Sequence, residues 1–525
     1  MIVDSTFLQV WTTGLVGLIL SVAIERFLHP QPRFFRPGSA WLLHICLWCF
    51  CYTLFILILG RPWCALVAVS AILITLTVVS NAKYKSLREP FIAQDYDYFL
   101  DTLRFPRLYL PFLGLKNFCL AALFFVLALL GFWMEEPPAS RFSLQGQLGG
   151  SLVLLLGTAV LLSRQRNHAS LAVFDPEKDL QTLGLLPSLW LYALASRTLP
   201  YVRSPFASAT VMTHPRPHLI AIQSESFFDA RHLFAGIRPD VLRTFDALRM
   251  EASSYGPLDV PAWGANTIRT EFSFLTGIAA QTLGVHRFNP YRAIARGWSV
   301  DALPLFLKKR GYRTVCVHPY WGNFYGRKYV LPRLGFDTFL DIGAFQGAQR
   351  AGAYISDIEV AKKILDLLKG ATEPLFIFAI TMENHGPLQF DHIANMEIEN
   401  FYSAYPDKMY RDLNKYLYHL KNADIMLCML KTAFNKLSLP VSFCFYGDHV
   451  PIMPEVYKNL RDPGDVPYFL WRNMYARDIL HKSYYSSSIL RAEQHLKINE
   501  LPLKWLMESN ISCNISREFT ENNVH

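Results

Sequence analysis

Five stretches in the first third of the chain contain no Asp, Glu, Lys or Arg. They cover residues 5–24, 41–60, 63–80, 117–134 and 143–163. A helix that crosses a bilayer needs about 20 consecutive apolar residues, and five such runs in series are not typical of buried helices in a soluble domain. Residues 1–4 carry no Lys or Arg, which argues against a cleaved signal peptide. The sequence therefore predicts a transmembrane domain of five helices over residues 1–164.

The charges between these runs predict an orientation. Basic residues concentrate between runs one and two and between runs three and four, whereas the other two connections carry one Arg each, Arg61 and Arg141. Because cytoplasmic loops are enriched in Lys and Arg, this count places the first and third connections in the cytoplasm. With five spans, it also places the second half of the chain there.

Composition narrows the class of protein further. Only 18% of the residues are charged, against about a quarter in a typical soluble domain. The net charge of +9 is dispersed, which suits anionic lipid headgroups and gives no recognition motif for nucleic acid. The nine cysteines show neither a disulfide framework nor a metal-type pair spacing in the second half. We therefore expect a membrane partner and no nucleic acid.

The second half alternates short apolar runs with longer amphipathic ones. Strands are predicted at residues 218–223, 313–318, 374–380 and 440–446, and helices at 237–251, 299–310, 357–369 and 407–436. This alternation predicts an α/β domain with a mainly parallel sheet. We assign it to residues 217–480, after a connector at 165–216 whose apolar run 183–194 is expected to lie at the membrane interface. Residues 481–525 form a tail to which the sequence assigns no role.

Each predicted strand ends in unusual polar residues. The four ends read Ser224-Glu-Ser226, His318-Pro-Tyr-Trp321, Glu383-Asn-His385 and Gly447-Asp-His449. Ligands of open α/β sheets bind beyond the carboxyl ends of the strands, so these ends predict one site.

Two of these ends and one turn could carry metal-dependent chemistry. Asp448, His449 and Glu225 offer the carboxylates and imidazole that bind zinc or manganese, although Asp448 could instead cap a turn and Glu225 a helix. Thr267 follows a glycine-containing turn and precedes an apolar helix. It is either a nucleophile at a phosphate-binding helix start or an N-cap, with Thr270 or Glu271 completing a capping box.

The order of these motifs resembles the lipoteichoic acid synthase branch of the alkaline phosphatase and sulfatase superfamily. The resemblance rests on Glu225, on Asn266-Thr-Ile-Arg-Thr-Glu-Phe272, on Tyr446-Gly-Asp-His449 and on five N-terminal spans before an α/β domain. It implies that Glu225, Thr267, Asp448 and His449 hold one divalent ion, manganese with zinc or magnesium as alternatives. Thr267 would then be the nucleophile.

Three further residues resemble the substrate pocket of that family. Phe324-Tyr-Gly-Arg327, followed by Gly335-Phe-Asp337, matches a stretch in which Arg327 would bind phosphate, with Tyr325 where the family usually has Trp. Thr381-Met-Glu-Asn-His385 matches an Asn-His pair in which His385 would contact phosphate or donate a proton. Read without the resemblance, Arg327 and His385 are better explained as a solvated charge and a satisfied loop histidine.

The resemblance implies a membrane-bound transferase. It would move glycerophosphate from a phospholipid, such as phosphatidylglycerol, to a cell-surface glycan or polymer through a phospho-threonine intermediate. Its catalytic domain would lie outside the cytoplasmic membrane of a bacterium, against the arginine count. The alternatives are a phosphoethanolamine transferase, although such enzymes typically carry disulfides, and a non-catalytic membrane protein. Residues 265–269 lack the Cys-x-Pro-x-Arg core of formylglycine sulfatases, so sulfatase activity is not expected.

Overall fold

A computed structural model describes residues 5–98, 115–136, 171–207, 216–388, 397–476 and 492–511, with a few positions between 152 and 160. The chain divides into two compact units, Met1–Thr198 and Leu199–His525. The first is helical in its described parts and the second is α/β.

The described part of the first unit contains six α-helices and the 3-10 helix Ala93–Tyr98. Their bounds are α1 Ser5–Glu25, α2 Gly38–Leu59, α3 Pro62–Leu87, α4 Leu115–Glu135, α5 Pro176–Leu183 and α6 Leu185–Ala195. Among the described residues, α2 and α3 are long and apolar enough to cross a membrane, and α1 and α4 contribute the shorter apolar segments Gln9–Glu25 and Phe125–Glu135. The predicted fifth span, 143–163, falls almost wholly outside the described residues, so the count of five spans stays a prediction.

Close packing joins the first three helices. A methyl group added at Gly17 of α1 would lie 2.4 Å from both Trp48 of α2 and Leu66 of α3, so the absent side chain allows the helices to approach. At the end of α1, buried Glu25 pairs with Arg36 at 2.7 Å and accepts a hydrogen bond from the Leu185 amide at 2.8 Å. The apolar run predicted to be interfacial is thus helix α6, whose start is fixed to the end of α1.

The second unit is built on a nine-stranded sheet. Its strands are β1 His218–Ser224, β2 Ser254–Asp259, β3 Arg313–Val317, β4 Thr338–Leu340, β7 Leu375–Ile380, β8 Val441–Gly447, β9 Val466–Arg472, β10 Ala492–Glu493 and β11 Leu496–Lys497, while β5 Arg350–Ala351 and β6 Tyr354–Ile355 form a separate hairpin. In order across the sheet the strands are β10-β2-β9-β8-β1-β7-β3-β4, and β11 also pairs with β2.

The four predicted strands form the centre of this sheet. β8, β1, β7 and β3 are neighbours and all run parallel, whereas β9 is antiparallel to both β8 and β2. Almost every residue of the four is buried, because helices cover both faces of a parallel sheet. The prediction of a mainly parallel sheet is confirmed.

Nine α-helices lie in the described part of this unit, besides short 3-10 helices. They are α7 Arg243–Glu251, α8 Thr267–Thr276, α9 Pro290–Ala295, α10 Leu303–Lys308, α11 Arg327–Arg333, α12 Asp357–Lys369, α13 Arg411–Lys436, α14 Pro454–Asn459 and α15 Leu501–Glu508. The predicted helix over 357–369 has these bounds in the structure. The other three begin later than predicted, and the one predicted at 299–310 also ends earlier, at Lys308. Pro304 lies in the first turn of α10, and the 3-10 helix Pro239–Leu242 precedes α7.

Residues 492–511, part of the tail without an assigned role, belong to the α/β unit. β10 and β11 extend the sheet beside β2. Trp505 of α15 is completely buried, lies near Phe274 and Phe376, and donates its indole N–H to Ser442 Oγ at 2.9 Å. The last described helix therefore completes the hydrophobic core of this unit.

Candidate active site

Three predicted metal ligands meet at the carboxyl ends of β1 and β8. Ligand atoms of Glu225, Asp448 and His449 all lie within 4.8 Å of one another, and the three side chains are buried. His449 Nε2 is 3.6 Å from Glu225 Oε1 and 3.4 Å from Asp448 Oδ2. β1 and β8 are hydrogen-bonded neighbours, with Ser224 opposite Gly447. Residues far apart in the sequence are thus brought to one point by the parallel pairing of two strands.

The ring of His449 is oriented for metal binding. Its Nδ1 lies 3.1 Å from the carbonyl oxygen of Val450, which can only accept a hydrogen bond. In the neutral ring the proton is therefore on Nδ1, and Nε2 keeps its lone pair. This is the usual arrangement of a metal-binding histidine, whose second nitrogen donates to a carbonyl or carboxylate. The lone pair of His449 lies among the two carboxylates.

The electrostatics of the cluster favour a bound cation. Burial and the neighbouring Asp448 carboxylate raise the pKa of Glu225 to about 8. The Oδ2 atom of Asp448 is buried and has no hydrogen-bond partner in the part of the chain that the structure describes. Two buried carboxylates beside each other are unfavourable unless a positive charge offsets them. The residues present therefore fit one divalent ion, which the carboxylates and the free Nε2 of His449 would hold.

The backbone around the cluster leaves little freedom to its side chains. A methyl group added at Gly447 would lie 2.0 Å from the carbonyl oxygen of Phe227, so glycine permits the close contact that precedes Asp448. Ser226 has a φ of 52°, and its amide donates to Asp448 Oδ1 at 2.7 Å while its hydroxyl donates to Glu225 Oε1 at 2.8 Å. Ser226 orients both carboxylates, a role visible in the sequence only as its adjacency to Glu225.

The fourth predicted ligand, Thr267, lies beside the cluster. Its Oγ1 is 3.5 Å from His449 Nε2, and the side chain is buried. Thr267 is the first residue of α8, and Asn266, with a φ of 67°, occupies the N-cap position without a side-chain capping bond. The hydroxyl of Thr267 is thus directed at the cluster from a helix start, where amide groups favour an anion.

The capping-box alternative for this helix is wrong. Asn266, not Thr267, is the N-cap and makes no side-chain capping bond, and the hydroxyl of Thr270 donates to the carbonyl oxygen of Asp448 at 2.9 Å. Thr270 ties α8 to the strand end that carries Asp448, and Glu271 is paired with Arg327. The spacing satisfied the pattern of a capping box, but tertiary contacts determine where these side chains lie.

Arg327 is held by two partners, Glu271 and His318. Its Nη2 lies 2.8 Å from Glu271 Oε2, and its Nη1 donates to Nε2 of His318 at 3.1 Å. Tyr291 also donates its hydroxyl to Glu271. Burial lowers the pKa of His318 well below its usual range, and Arg327 lowers it further. His318 is therefore a neutral acceptor that helps to aim the guanidinium.

Tyr325 lies beside this guanidinium. The Cζ atom of Arg327 is 5.3 Å from the centre of the Tyr325 ring, and Tyr325 is half-buried with a φ of 55°. The structure thus brings the two residues of the predicted phosphate pocket together. Arg327 also influences the pKa of Glu225, lowering it against the effects of burial and Asp448.

His385 lies in the loop after β7. Its Nδ1 donates to the carbonyl oxygen of Gly386 at 2.7 Å, so Nε2 is the nitrogen that can exchange a proton. Burial lowers the pKa of His385, Asp448 raises it, and Arg327 lowers it. Burial outweighs the opposing effects, so the pKa of His385 lies below its usual value.

Two neighbours of His385 have roles that the sequence does not distinguish. Glu383 turns into the protein, where it accepts from His419 Nδ1 at 2.9 Å and from the amide of Asp357 at 2.7 Å. Asn384 is 2% exposed, and neither its Oδ1 nor its Nδ2 has a hydrogen-bond partner among the described residues. Glu383 anchors the loop, and Asn384 keeps an unsatisfied amide beside His385.

Comparison with known proteins identifies a family for this chain. The family model described as Sulfatase matches residues 217–492. The capsular polysaccharide biosynthesis protein RkpI of Rhizobium meliloti (strain 1021) is 28% identical over 457 residues, which cover 81% of this chain and 80% of that protein.

Solved structures extend the similarity to the fold. The integral membrane protein lipooligosaccharide phosphoethanolamine transferase A (EptA) from Neisseria meningitidis gives a TM-score of 0.52 at 14% identity, covering 96% of this chain and 94% of that one. The Streptococcus pyogenes phosphoglycerol transferase GacH, in complex with sn-glycerol-1-phosphate, gives a TM-score of 0.44 at 18% identity, covering 66% and 80%.

Proposed function

This chain belongs to the sulfatase family, and we propose that it is a membrane-bound, metal-dependent phosphotransferase. The observation that carries the proposal is the position of the Thr267 hydroxyl, 3.5 Å from His449 Nε2 in the Glu225, Asp448 and His449 cluster. A threonine at this position offers an oxygen nucleophile for phosphorus. The formylglycine signature of sulfate-ester hydrolysis is absent from residues 265–269.

In the first half-reaction, Thr267 Oγ1 attacks the phosphorus of a phospholipid. The new Oγ1–P bond forms as the bond from phosphorus to the diacylglycerol oxygen breaks. A divalent ion held by Glu225, Asp448 and His449 would lower the pKa of the Thr267 hydroxyl and stabilise negative charge on the phosphate oxygens. The amide groups at the start of α8 add to that stabilisation.

Arg327 and His385 also act in the first half-reaction. Arg327, fixed by Glu271 and His318, donates N–H bonds to the non-bridging phosphate oxygens. His385 enters this step as the imidazolium and passes its Nε2 proton to the departing diacylglycerol oxygen, while its Nδ1–H stays bonded to Gly386.

In the second half-reaction an acceptor hydroxyl attacks the phosphorus of phospho-Thr267. His385 takes the proton of that hydroxyl and is restored to its starting state. The Oγ1–P bond breaks, and Thr267 recovers a proton from the solvent to replace the one it released. The residues around Thr267 therefore serve both steps, as expected of covalent catalysis that proceeds through two similar transition states.

The substrates follow from the membrane unit and from the relatives. Two long apolar helices support a lipid donor, for which we propose a phosphatidylglycerol-like phospholipid. The RkpI protein is named for capsular polysaccharide biosynthesis, which supports a glycan or polymer acceptor. Such acceptors lie outside the cytoplasmic membrane of a bacterium, so we place the α/β unit there, with manganese as the proposed ion and zinc or magnesium as alternatives.

A trapped intermediate tests the proposal. The full-length protein, incubated with phosphatidylglycerol and manganese but without acceptor, should gain a mass of about 154 Da on Thr267, the mass of a glycerophosphate group on threonine. A gain of about 123 Da from phosphatidylethanolamine would identify the phosphoethanolamine alternative. If neither lipid leaves an adduct on Thr267, the covalent phosphotransferase mechanism is wrong.

A further inference from the structure

A cavity of about 290 Å³ lies between the end of β2, the turn that leads into α8 and Val450. Val450, one of its lining residues, directly follows His449, and its carbonyl oxygen orients the His449 ring. Trp263, on another wall, lies four residues before Thr267 in the turn that leads into α8. The cavity therefore borders the residue whose carbonyl oxygen orients His449 and the turn that leads to the proposed nucleophile.

The lining residues combine an aromatic ring with planar polar groups. Trp263 contributes a half-buried indole, Asp259 and Asp465 contribute carboxylates, and Gln281 and Asn499 contribute amides. A sugar ring has apolar C–H faces and a rim of hydroxyl groups. Indole packs against such faces, while carboxylates and amides bond paired hydroxyls. The volume lies near the lower end of small-molecule sites, roughly 300 Å³, and suits one sugar residue.

The charges of this region disfavour a polyanion. Asp259 and Asp465 are about half-exposed, and His495 lies 2.8 Å from Asp259 and 3.7 Å from Asp465. Lys497 is the only Lys or Arg among the residues that line the cavity. Two carboxylates repel phosphate groups that approach within a few ångströms, so an uncharged, hydroxyl-rich ligand fits better than a phosphate polymer.

We infer that this cavity is the acceptor subsite, and that it binds a neutral sugar residue of a glycan. The inference rests on the proposed function, because only a transferase needs an acceptor beside Thr267. The cavity indicates which class of acceptor binds, whereas the metal cluster gives no information about the acceptor. Trp263 and Asp465 would position the sugar so that one of its hydroxyls faces the phosphorylated threonine.

Calorimetric titration of the full-length protein in detergent tests the assignment. The probes are cellohexaose, maltohexaose and laminarihexaose, with an oligomer of glycerol phosphate as the anionic competitor. At least one neutral hexasaccharide should bind, and Trp263→Ala and Asp465→Ala should each weaken that binding at least about tenfold, the loss expected of a central contact. Trp263→Phe, which keeps an aromatic ring, should lose less. Asp366→Ala, a change at an exposed carboxylate of α12, should bind as the parent does.

The outcomes separate this inference from the proposed function. Thr267→Ala should bind the hexasaccharide with parent affinity while forming no adduct, because the sugar contacts do not include the nucleophile. Lack of an adduct in the parent, with sugar binding that still depends on Trp263 and Asp465, would refute the transfer mechanism and leave a sugar site. Preferred binding of the glycerol phosphate oligomer, no binding of any neutral sugar, or unchanged affinity in both cavity variants would overturn the subsite.

Discussion

The guanidinium of Arg327 lies against the carboxylate of Glu271, with Nη2 2.8 Å from Oε2, and both side chains are almost completely buried. Glu271 is on α8, four residues after Thr267, and Arg327 begins α11. One ion pair therefore connects the helix of the nucleophile to the residue proposed to bind phosphate. The position of Arg327 relative to Thr267 is therefore fixed before a substrate binds.

Removal of one partner of this pair should be costly. Glu271→Gln leaves the Arg327 charge buried without a counter-charge, and we expect the free energy of unfolding to fall by about 3–5 kcal/mol. Chemical unfolding followed by tryptophan fluorescence measures the change. Asp240→Asn, which removes a partly exposed partner of Arg238, is the matched control and should cost about 0–1 kcal/mol. Equal effects of the two substitutions would show that the buried pair is not structurally important.

Thr267→Ala should separate chemistry from stability. Asn266, not Thr267, is the N-cap of α8, so the loss in stability should be below the ~1 kcal/mol typical of a lost cap. Transfer of a labelled headgroup should fall at least about 1,000-fold, because the nucleophile is gone. Thr267→Ser keeps a hydroxyl and should retain part of the rate. A folded Thr267→Ala protein that transfers near the parent rate would exclude Thr267 as nucleophile.

Ser226→Ala should weaken metal binding. The substitution removes the hydroxyl that donates to Glu225 Oε1 at 2.8 Å, and loss of such an orienting bond typically lowers metal affinity about 10–100-fold. Competition titration with manganese measures the change. Ser224→Ala is a close control, because the Ser224 hydroxyl is buried without a hydrogen-bond partner among the described residues. Its loss should leave affinity unchanged, and a similar drop in both variants would contradict the orienting role of Ser226.

Asp357 should make stability depend on pH. Burial and the nearby Glu383 carboxylate raise the pKa of Asp357 well above its ordinary value of 3.8. Between pH 3.8 and the raised pKa, Asp357 therefore keeps its proton in the folded chain but loses it in the unfolded chain. The free energy of unfolding contributed by this group therefore falls as pH rises from its ordinary pKa toward the raised value. Asp357→Asn should remove the fall and stabilise the protein more at about pH 7 than at about pH 4.

Unfolding midpoints at the two pH values measure that difference. Asp366→Asn on the same helix is the control, because its carboxylate is exposed. A constant difference between Asp357→Asn and the parent at both pH values would mean that Asp357 titrates normally in the folded state.

The centre of the sheet and the metal cluster could be predicted because they depend on local sequence. Four apolar runs specify the strands β1, β3, β7 and β8, and parallel pairing then brings their polar ends to one edge. Glu225, Asp448 and His449 converge for that reason alone. Their hydrogen-bond partners are also neighbours in sequence, Ser226 and Val450.

The remaining features depend on contacts between distant segments. The pattern around Glu271 is compatible with a capping box, and only the approach of α11 shows that it pairs with Arg327. Residues 492–511 lack a long apolar run, so nothing in them indicates two short strands and a buried Trp505. The cavity between Trp263 and Val450 likewise requires the relative placement of several loops.

The central position of β1 determines the order in which the protein can be completed during synthesis. β1 is translated first among the strands, but its two neighbours, β7 and β8, begin only at residues 375 and 441. Until then an almost wholly apolar strand has no partner, and pairing over such separations is slow and exposes surfaces that aggregate. The helices α1, α2 and α3 contact one another within the first 87 residues. The first three helices can therefore pack together while the rest of the chain is still being synthesised. Glu225 and His449 can come together only after most of the chain has been translated.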